Sequence, residues 1–564
     1  MFRGKHIVLL FILWGMVHPC AFSGELPKRL VLALDGISYQ KVEKAIVQGL
    51  FKSFFHPSKM IAPFPSMSDP SWSDIFKTAR PVGVQRLYFN PVLNKIQGHP
   101  FSDLKTRREF ERRVNAGDEG PIHHAKTYVM AFRLARNELN NIKDKFFLSE
   151  NEKESGRGGD VFFAYTGSSD SLLHTTDVSA EYLAYLDQVL NEIQDLYRKK
   201  TGHELKIDLF SDHGNNGING KSLPIDSHLS KFGFKSRERI KSSMDIVIPR
   251  AGIVNYIQIF CHGDKKREVA GASLLLEGVD LALIREENKR VRVLAKRDGK
   301  REEALIESSP ELGNEWIRYR VISGDPLKLI PILDELKKAH KVSSLGFVSR
   351  KDWFRSTRNH LYPYGAVRVW RSFYENIIFP PPVFLSLKDG WTGINPFLDH
   401  FTNTEKMEGG THGNLLAPAT MGVILSNYHQ TQDLPSHRLK EELIQAEESA
   451  YPLGKHWMHL DGDLLTLSLP KFKGRKKAFF YILLEKNLAS GKETRLQTEL
   501  PILTKDHLVR ISLKKYWKKL PVNRGLEIGI EVASQNDEGE VLERRKLKTL
   551  KIFYDGTRGT LIGR

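Results

Sequence analysis

The stretch DLFSDHGNNG, residues 208–217, runs an apolar segment ending at Phe210 directly into an aspartate, a histidine and a glycine. Turns rich in Asx and Gly commonly follow buried strands. An Asp-His pair is equally a metal-ligand pair, so Asp212 and His213 stand between a polar turn and a site. Both side chains can enter one pocket only if the backbone turns sharply, which Gly214 permits. In TGSSDSLLH, Asp170 and His174 lie four residues apart. On a helix that spacing puts both on one face, where they can share an ion. Asp35 closes the apolar run RLVLALDG, and His412 sits among glycines in MEGGTHGNLLAP just before another apolar run. Each of these alone reads as well as a turn residue. Together they amount to three aspartates and three histidines, a donor set sufficient for two metal ions.

Such a site needs a nucleophile, and MIAPFPSMSDPSWSDIFKTARPVGV, residues 60–84, supplies Ser66, Ser68, Ser71 and Ser73 ahead of a helical pattern. A serine at a helix N-terminus meets unpaired backbone amides and favourable positive potential. Ser71 has a second reading as a helix cap, with Trp72 and Ile75 opening the buried face.

The elements that must position these groups are visible as short apolar runs that stop at polar residues: 29–36, 160–170, 206–214 and 420–427. Continuous apolar runs without alternation suit strands buried on both faces. Between the second and third runs, residues 179–202 carry Leu183, Leu186, Leu190, Ile193 and Leu196 at helical spacing and end at Gly202. Strand, helix, strand implies a crossover and a parallel sheet with helices on its faces. Ligands of such sheets sit beyond the carboxyl ends of the strands, where Asp35, Asp170 and Asp212 fall. The expected architecture is therefore α/β, a mostly parallel sheet flanked by helices. Its two parts, 24–250 and 381–445, bracket an inserted β-rich cap region at 251–380, and a β-sandwich-like accessory domain follows at 450–564.

The order ALDG, SMSDPSWSDIF, SSDSLLH, SDHG and THG resembles the alkaline phosphatase superfamily, specifically its type I phosphodiesterase and nucleotide pyrophosphatase branch, over residues 29 to about 427. The resemblance implies one metal held by Asp35, Asp212 and His213, which also binds the nucleophile, and a second held by Asp170, His174 and His412. Ser68 matches the nucleophile, two residues before Pro70 and with Pro81 eleven residues beyond that, and Ser66 is the fallback. Ser71 stands where the branch usually has a phosphate-contacting asparagine, which weakens a nucleotide assignment. Sulfatases of the superfamily need an arginine after the proline that this chain lacks. Zinc suits three imidazoles, and manganese is the alternative that the carboxylates allow.

Residues 1–23 carry Arg3 and Lys5, an 11-residue apolar core and the small residues Ala21 and Ser23, the form of a cleaved secretory signal. The core is shorter than the ~20 residues a membrane span needs, so a secreted or periplasmic protein without a stable membrane anchor is expected. His18 and Pro19 before Cys20 do not suit a lipid-modification site. Cleavage leaves Cys261 as the sole cysteine, hence no internal disulfide. The net charge of +18 would fall to +16 and suits anionic partners. The scattered basic runs do not form a nucleic-acid surface. The function these residues imply is a metal-dependent phosphoric ester hydrolase acting on an envelope-derived or nucleotide ester. A phosphoethanolamine- or phosphoglycerol-type transferase using the same site, and a non-catalytic envelope binder, are the alternatives. His360 and Tyr362 are candidate cap contacts, with packing as their other reading.

Overall fold

A computed structural model describes residues 26–98, 114–116, 128–149, 160–175, 179–250, 252–394 and 409–444, and beyond these the backbone of strands between 458 and 563. The secretory signal expected at 1–23 lies outside the described residues. No helix among the described residues is long and apolar enough to cross a membrane.

Six strands form the sheet that carries the candidate site, in the order Leu434–Pro435, Ser58–Ile61, Met421–Ser426, Lys206–Ser211, Arg29–Leu34 and Val161–Thr166. Arg29–Leu34 runs parallel to both Val161–Thr166 and Lys206–Ser211. Met421–Ser426 alone is reversed, antiparallel to Lys206–Ser211 and to Ser58–Ile61. The architecture is thus α/β, a mostly parallel sheet flanked by helices.

The unbroken apolar runs follow from burial on both faces. Leu30, Leu32, Leu34, Ile207 and Leu209 pack on one side with helices Tyr39–Val47, Tyr128–Leu148 and Ser179–Thr201. Val31, Ala33, Phe163, Tyr165 and Phe210 pack on the other with Trp72, Ile75 and Phe76 of helix Ser68–Phe76. Helix Ser179–Thr201 is the expected crossover, buried through Tyr182, Leu183, Leu186, Val189, Leu190, Ile193 and Tyr197. Each such side chain contributes about 1.5–3 kcal/mol of burial before chain entropy is subtracted. Leu196, expected in the stripe, is 43% exposed. A period of 3.6 residues carries the stripe from Ile193 to Tyr197, and Leu196 falls off its edge.

A second sheet of nine strands draws on residues 235–387, so it reaches past the expected limits at 250 and 380. Its last strand in the chain, Val383–Leu387, pairs with Tyr256–Cys261 and Val279–Arg285. One face packs on helices Ile225–Ser230 and Lys266–Ser273. The other, through Leu281, Val293, Ile306 and Ile317, joins the same apolar cluster that lies under the first sheet. Helices Ile330–Lys338, Arg350–Thr357 and Gly365–Tyr374 cover that face. Beyond residue 450 the described strands form two antiparallel sheets, of three and six strands.

Candidate metal centre

The parallel strands deliver their acids to one edge. Asp35 follows Leu34 directly, Asp212 follows Ser211 directly, and Asp170 lies in the first turn of helix Ser168–Thr175, which starts two residues beyond Thr166. The i,i+4 pair is realised on that helix, with His174 Nε2 3.4 Å from Asp170 Oδ2. Ser68 opens helix Ser68–Phe76, so its hydroxyl sits beside the unpaired amides of a helix start. His412 reaches the same edge because Met421–Ser426 is reversed and enters the sheet there.

Two donor groups result, each with its ligand atoms within 4.8 Å of one another: Asp170, His174 and His412, and Asp35, Asp170 and His213. Asp212 stands beside the second, its Oδ2 3.4 Å from His213 Nε2, while its Oδ1 accepts from the Gly36 amide at 3.1 Å. Ser68 Oγ donates to Asp35 Oδ1 at 3.2 Å and lies 3.4 Å from His213 Nε2. Asp35, Asp212, His213 and His412 are almost fully buried. The side chains of Asp170 and His174 remain 14% and 16% exposed, so Ser68, Asp170 and His174 form the approachable side.

The three imidazoles are oriented alike. His213 Nδ1 donates to the Gly214 carbonyl at 2.9 Å, His174 Nδ1 to the Gly410 carbonyl at 2.9 Å, and His412 Nδ1 to the Ser66 carbonyl at 2.8 Å. That fixes each neutral ring with a bare Nε2 turned inward, the arrangement of metal-ligating histidines. His174 and His412 meet through their Nε2 atoms at 3.1 Å, and the His213 and His412 rings stack at 4.1 Å. Burial pushes His412 down to about 3, with His213 adding to the effect and Asp170 opposing it. Burial also lowers His174, but the facing Asp170 carboxylate outweighs it and raises this ring above its ordinary value. For Asp170, burial pushes the carboxyl up, and His174 and His412 together hold it well below the usual carboxylate range. Among the described residues, a buried Asp170 Oδ1 accepts no hydrogen bond. Buried polar atoms are rarely left so, and inward-facing Nε2 atoms with this carboxylate fit divalent cations.

Glycines hold the edge close. Gly36 has φ +72°, and a Cβ there would lie 2.5 Å from Asp170 Oδ1. The role of Gly214 differs from the expected sharp turn: its φ is not positive, and a Cβ would lie 2.2 Å from the Pro418 carbonyl oxygen. The residue is small because another backbone passes against it. Asn216 ties this loop to the His412 loop, accepting from the Thr411 amide at 2.8 Å and donating to Asp389 at 2.8 Å.

The other serines are placed differently from Ser68. Ser66 is fully buried, donating to the Pro63 carbonyl at 3.2 Å and accepting from Arg368 Nη2 at 3.0 Å. Ser71 lies inside the helix, whose N-cap is Met67, so it is no cap, and its buried hydroxyl has no hydrogen-bond partner among the described residues. Tyr362 is buried, bonded to Asp280 and Arg297 at 2.8 Å each, and His360 bonds the Lys328 carbonyl at 3.1 Å. Both are packing groups of the second sheet and its helices.

Two supports carried no motif. Tyr165 donates to Asp35 Oδ2 at 2.5 Å, which leaves Oδ1 for Ser68 and His213; a tyrosine in an otherwise apolar buried strand was its only trace. Glu138 accepts from Thr166 Oγ1 at 2.5 Å and from the Gly167 and Ser168 amides at 3.2 and 3.1 Å. It thereby caps the helix that bears Asp170 and His174. Val254 bridges to His412, and the Asn255 amide donates to the His412 carbonyl at 2.9 Å, so the lead-in to the second sheet fixes this histidine.

Solved structures similar in architecture include phosphonoacetate hydrolase from Sinorhizobium meliloti 1021 in complex with phosphonoformate, with TM-score 0.40 and 11% identity over 74% of this chain and 94% of that one. Murine ectonucleotide pyrophosphatase/phosphodiesterase 5 is similar at TM-score 0.37 and 12% identity, over 73% of this chain and 93% of that one. The human protein of the same name is similar at TM-score 0.36 and 12% identity, with coverage of 73% and 93%. No protein-family model and no curated protein matches the chain.

Proposed function

We propose that the chain is an exported, metal-dependent phosphoric ester hydrolase in which Ser68 is the nucleophile, Asp35, Asp212 and His213 hold one divalent ion and Asp170, His174 and His412 hold another. The observation that carries this reading is the common orientation of the three imidazoles. Each Nδ1–H is spent on a backbone carbonyl, so three bare Nε2 atoms and the aspartate oxygens face one another in a buried pocket. Bare imidazole lone pairs brought face to face with carboxylates in a buried pocket are costly unless cations occupy it.

Ions bound there would supply positive charge that lowers the pKa of a hydroxyl and stabilises charge building on phosphoryl oxygens. The chain's own residues do the rest. Ser68 Oγ lies beside Asp35 Oδ1 and His213 Nε2, and it gives up its proton to solvent as the oxygen attacks phosphorus. The Ser68 O–P bond forms while the bond to the ester oxygen breaks, and the departing alkoxide takes up a proton. Water then attacks phosphorus, the phosphoseryl bond breaks, and Ser68 regains its proton. Tyr165 keeps Asp35 oriented through both steps, and the amides at the start of helix Ser68–Phe76 lie beside the phosphoryl group.

The test is hydrolysis of p-nitrophenyl monoester, diester and phosphonate substrates by the full chain with Zn²⁺ or Mn²⁺. Chelation is expected to abolish turnover and metal to restore it, and Ser68→Ala is expected to lose turnover by about 10³-fold or more while keeping its metal. A Ser68→Ala protein as active as the parent would exclude this nucleophile.

A further inference from the structure

At the end of the second sheet, remote in sequence from every proposed ligand, lies a groove of about 600 Å³ lined by Lys235, Arg237, Arg239 and Lys241, with Glu238, Ser242 and Asp245. The four cations recur at every second position of KSRERIK, which begins in strand Lys235–Ser236 and bends at Glu238 and Arg239. All four are exposed, and among the described residues none has an ion-pair partner. Elsewhere in the second sheet Arg292 pairs with Glu286 at 2.8 Å and Arg318 with Glu307 at 2.9 Å.

The segment is also held in shape. Asp245 Oδ2 accepts from the Lys241 and Ser242 amides at 2.8 and 2.7 Å, which directs that carboxylate to the loop backbone. Asn94 grips Ile240 from both sides, donating to its carbonyl at 2.8 Å and accepting from its amide at 2.9 Å. The amides of Lys235 and Arg237 bond the carbonyls of Met244 and Ile246 at 2.9 and 2.8 Å. A concave, braced cluster in which four cations outnumber the carboxylates of Glu238 and Asp245 is preorganised for several anionic charges at once.

We propose that this groove binds a linear polyanion carrying a phosphate at each repeat. Two arginines suit phosphate oxygens in bidentate fashion and two lysines add point charge. A concavity admits a chain, whereas a plane of lipid headgroups would meet a flat or convex basic face. The proposal stands apart from the ester-cleaving reading, because it concerns binding alone.

The test measures binding of medium-chain inorganic polyphosphate to the full chain as salt is raised from roughly 50 to 200 mM. Lys235→Gln, Arg237→Gln, Arg239→Gln and Lys241→Gln combined in one variant are expected to weaken binding more than tenfold. The slope of log affinity against log salt should fall by about 3, four contacts at ~0.7 each. A control carrying Lys296→Gln, Lys300→Gln, Lys337→Gln and Lys338→Gln removes the same charge elsewhere and is expected to bind nearly as the parent. Equal losses in both variants would overturn the proposal, since net charge alone would then explain binding. Binding of anionic phospholipid vesicles without binding of polyphosphate would overturn it as well.

Discussion

Gly36→Ala probes the candidate site without touching a ligand. The position has φ +72°, which costs a residue with a Cβ about 1–2 kcal/mol. The added methyl would also lie 2.5 Å from Asp170 Oδ1, where ordinary contact begins near 3.4 Å. The gap must therefore open by about 0.9 Å, and the Asp170 carboxylate, common to both donor groups, is the part displaced. A misplacement of ~1 Å in a catalytic arrangement costs about 10²-fold. Gly202→Ala is the matched control: it has φ +75°, nothing within 4 Å of a built Cβ, and a place before the opposite end of strand Lys206–Ser211. Both variants should lose similar stability in urea unfolding. Only Gly36→Ala should lose metal affinity, measured by competition with a chromogenic chelator, and turnover, each by about 10²-fold. If Gly36→Ala matches Gly202→Ala in both, then Asp170 is not a metal ligand.

Further outcomes follow from other contacts. Asp170→Asn should lower bound metal by more than Asp212→Asn does, measured by elemental analysis of dialysed protein, because Asp170, proposed as a ligand of one ion, also lies within reach of the ligand atoms of the other. Arg371 and Arg350 overcome burial and hold the Glu375 carboxyl from 4.5 down to about 2, a difference worth about 3 kcal/mol. Because the folded value is the lower one, that stability is complete above pH 4.5 and is lost as pH falls toward 2. Glu375→Gln should thus be less stable than the parent by about 3 kcal/mol or more near neutral pH, with the gap closing between those limits in urea titrations. Arg368 is fully buried and bonds the carbonyls of Pro63, Pro363 and Leu415 as well as Ser66 Oγ. Arg368→Met should cost about 3–5 kcal/mol in unfolding experiments by stranding these acceptors.

Much of the sheet and its acids was legible because burial on both faces writes itself as apolar runs, and a parallel strand announces the edge at which its last residue sits. Asp35 and Asp212 needed no more than that. His412 was visible as a residue but not as a consequence of topology: it precedes its strand, and only reversal of Met421–Ser426 brings it to the edge where Asp35 follows its own. Tyr165 and Glu138 act across 130 and 28 to 30 positions of sequence, distances over which local pattern carries no information. Leu196 was misplaced by counting leucines instead of angle, and Gly214 by giving a local reason to a glycine whose smallness serves a remote backbone. The second sheet does not share the limits at 250 and 380, because its strands Asp245–Val247 and Val383–Leu387 lie on their far sides.

The bridge between Val254 and His412 ties a proposed metal ligand to the strand that leads into the second sheet. The two regions therefore cannot be treated as interchangeable modules. Grafting a foreign insertion between residues 251 and 394 would remove the backbone rail along which His412 is laid, so a chimaera built to change substrate choice would arrive with a weakened metal site. Descent within such an architecture would be expected to revise the insertion's outer helices and loops while keeping residues 254 and 255 in register with 412.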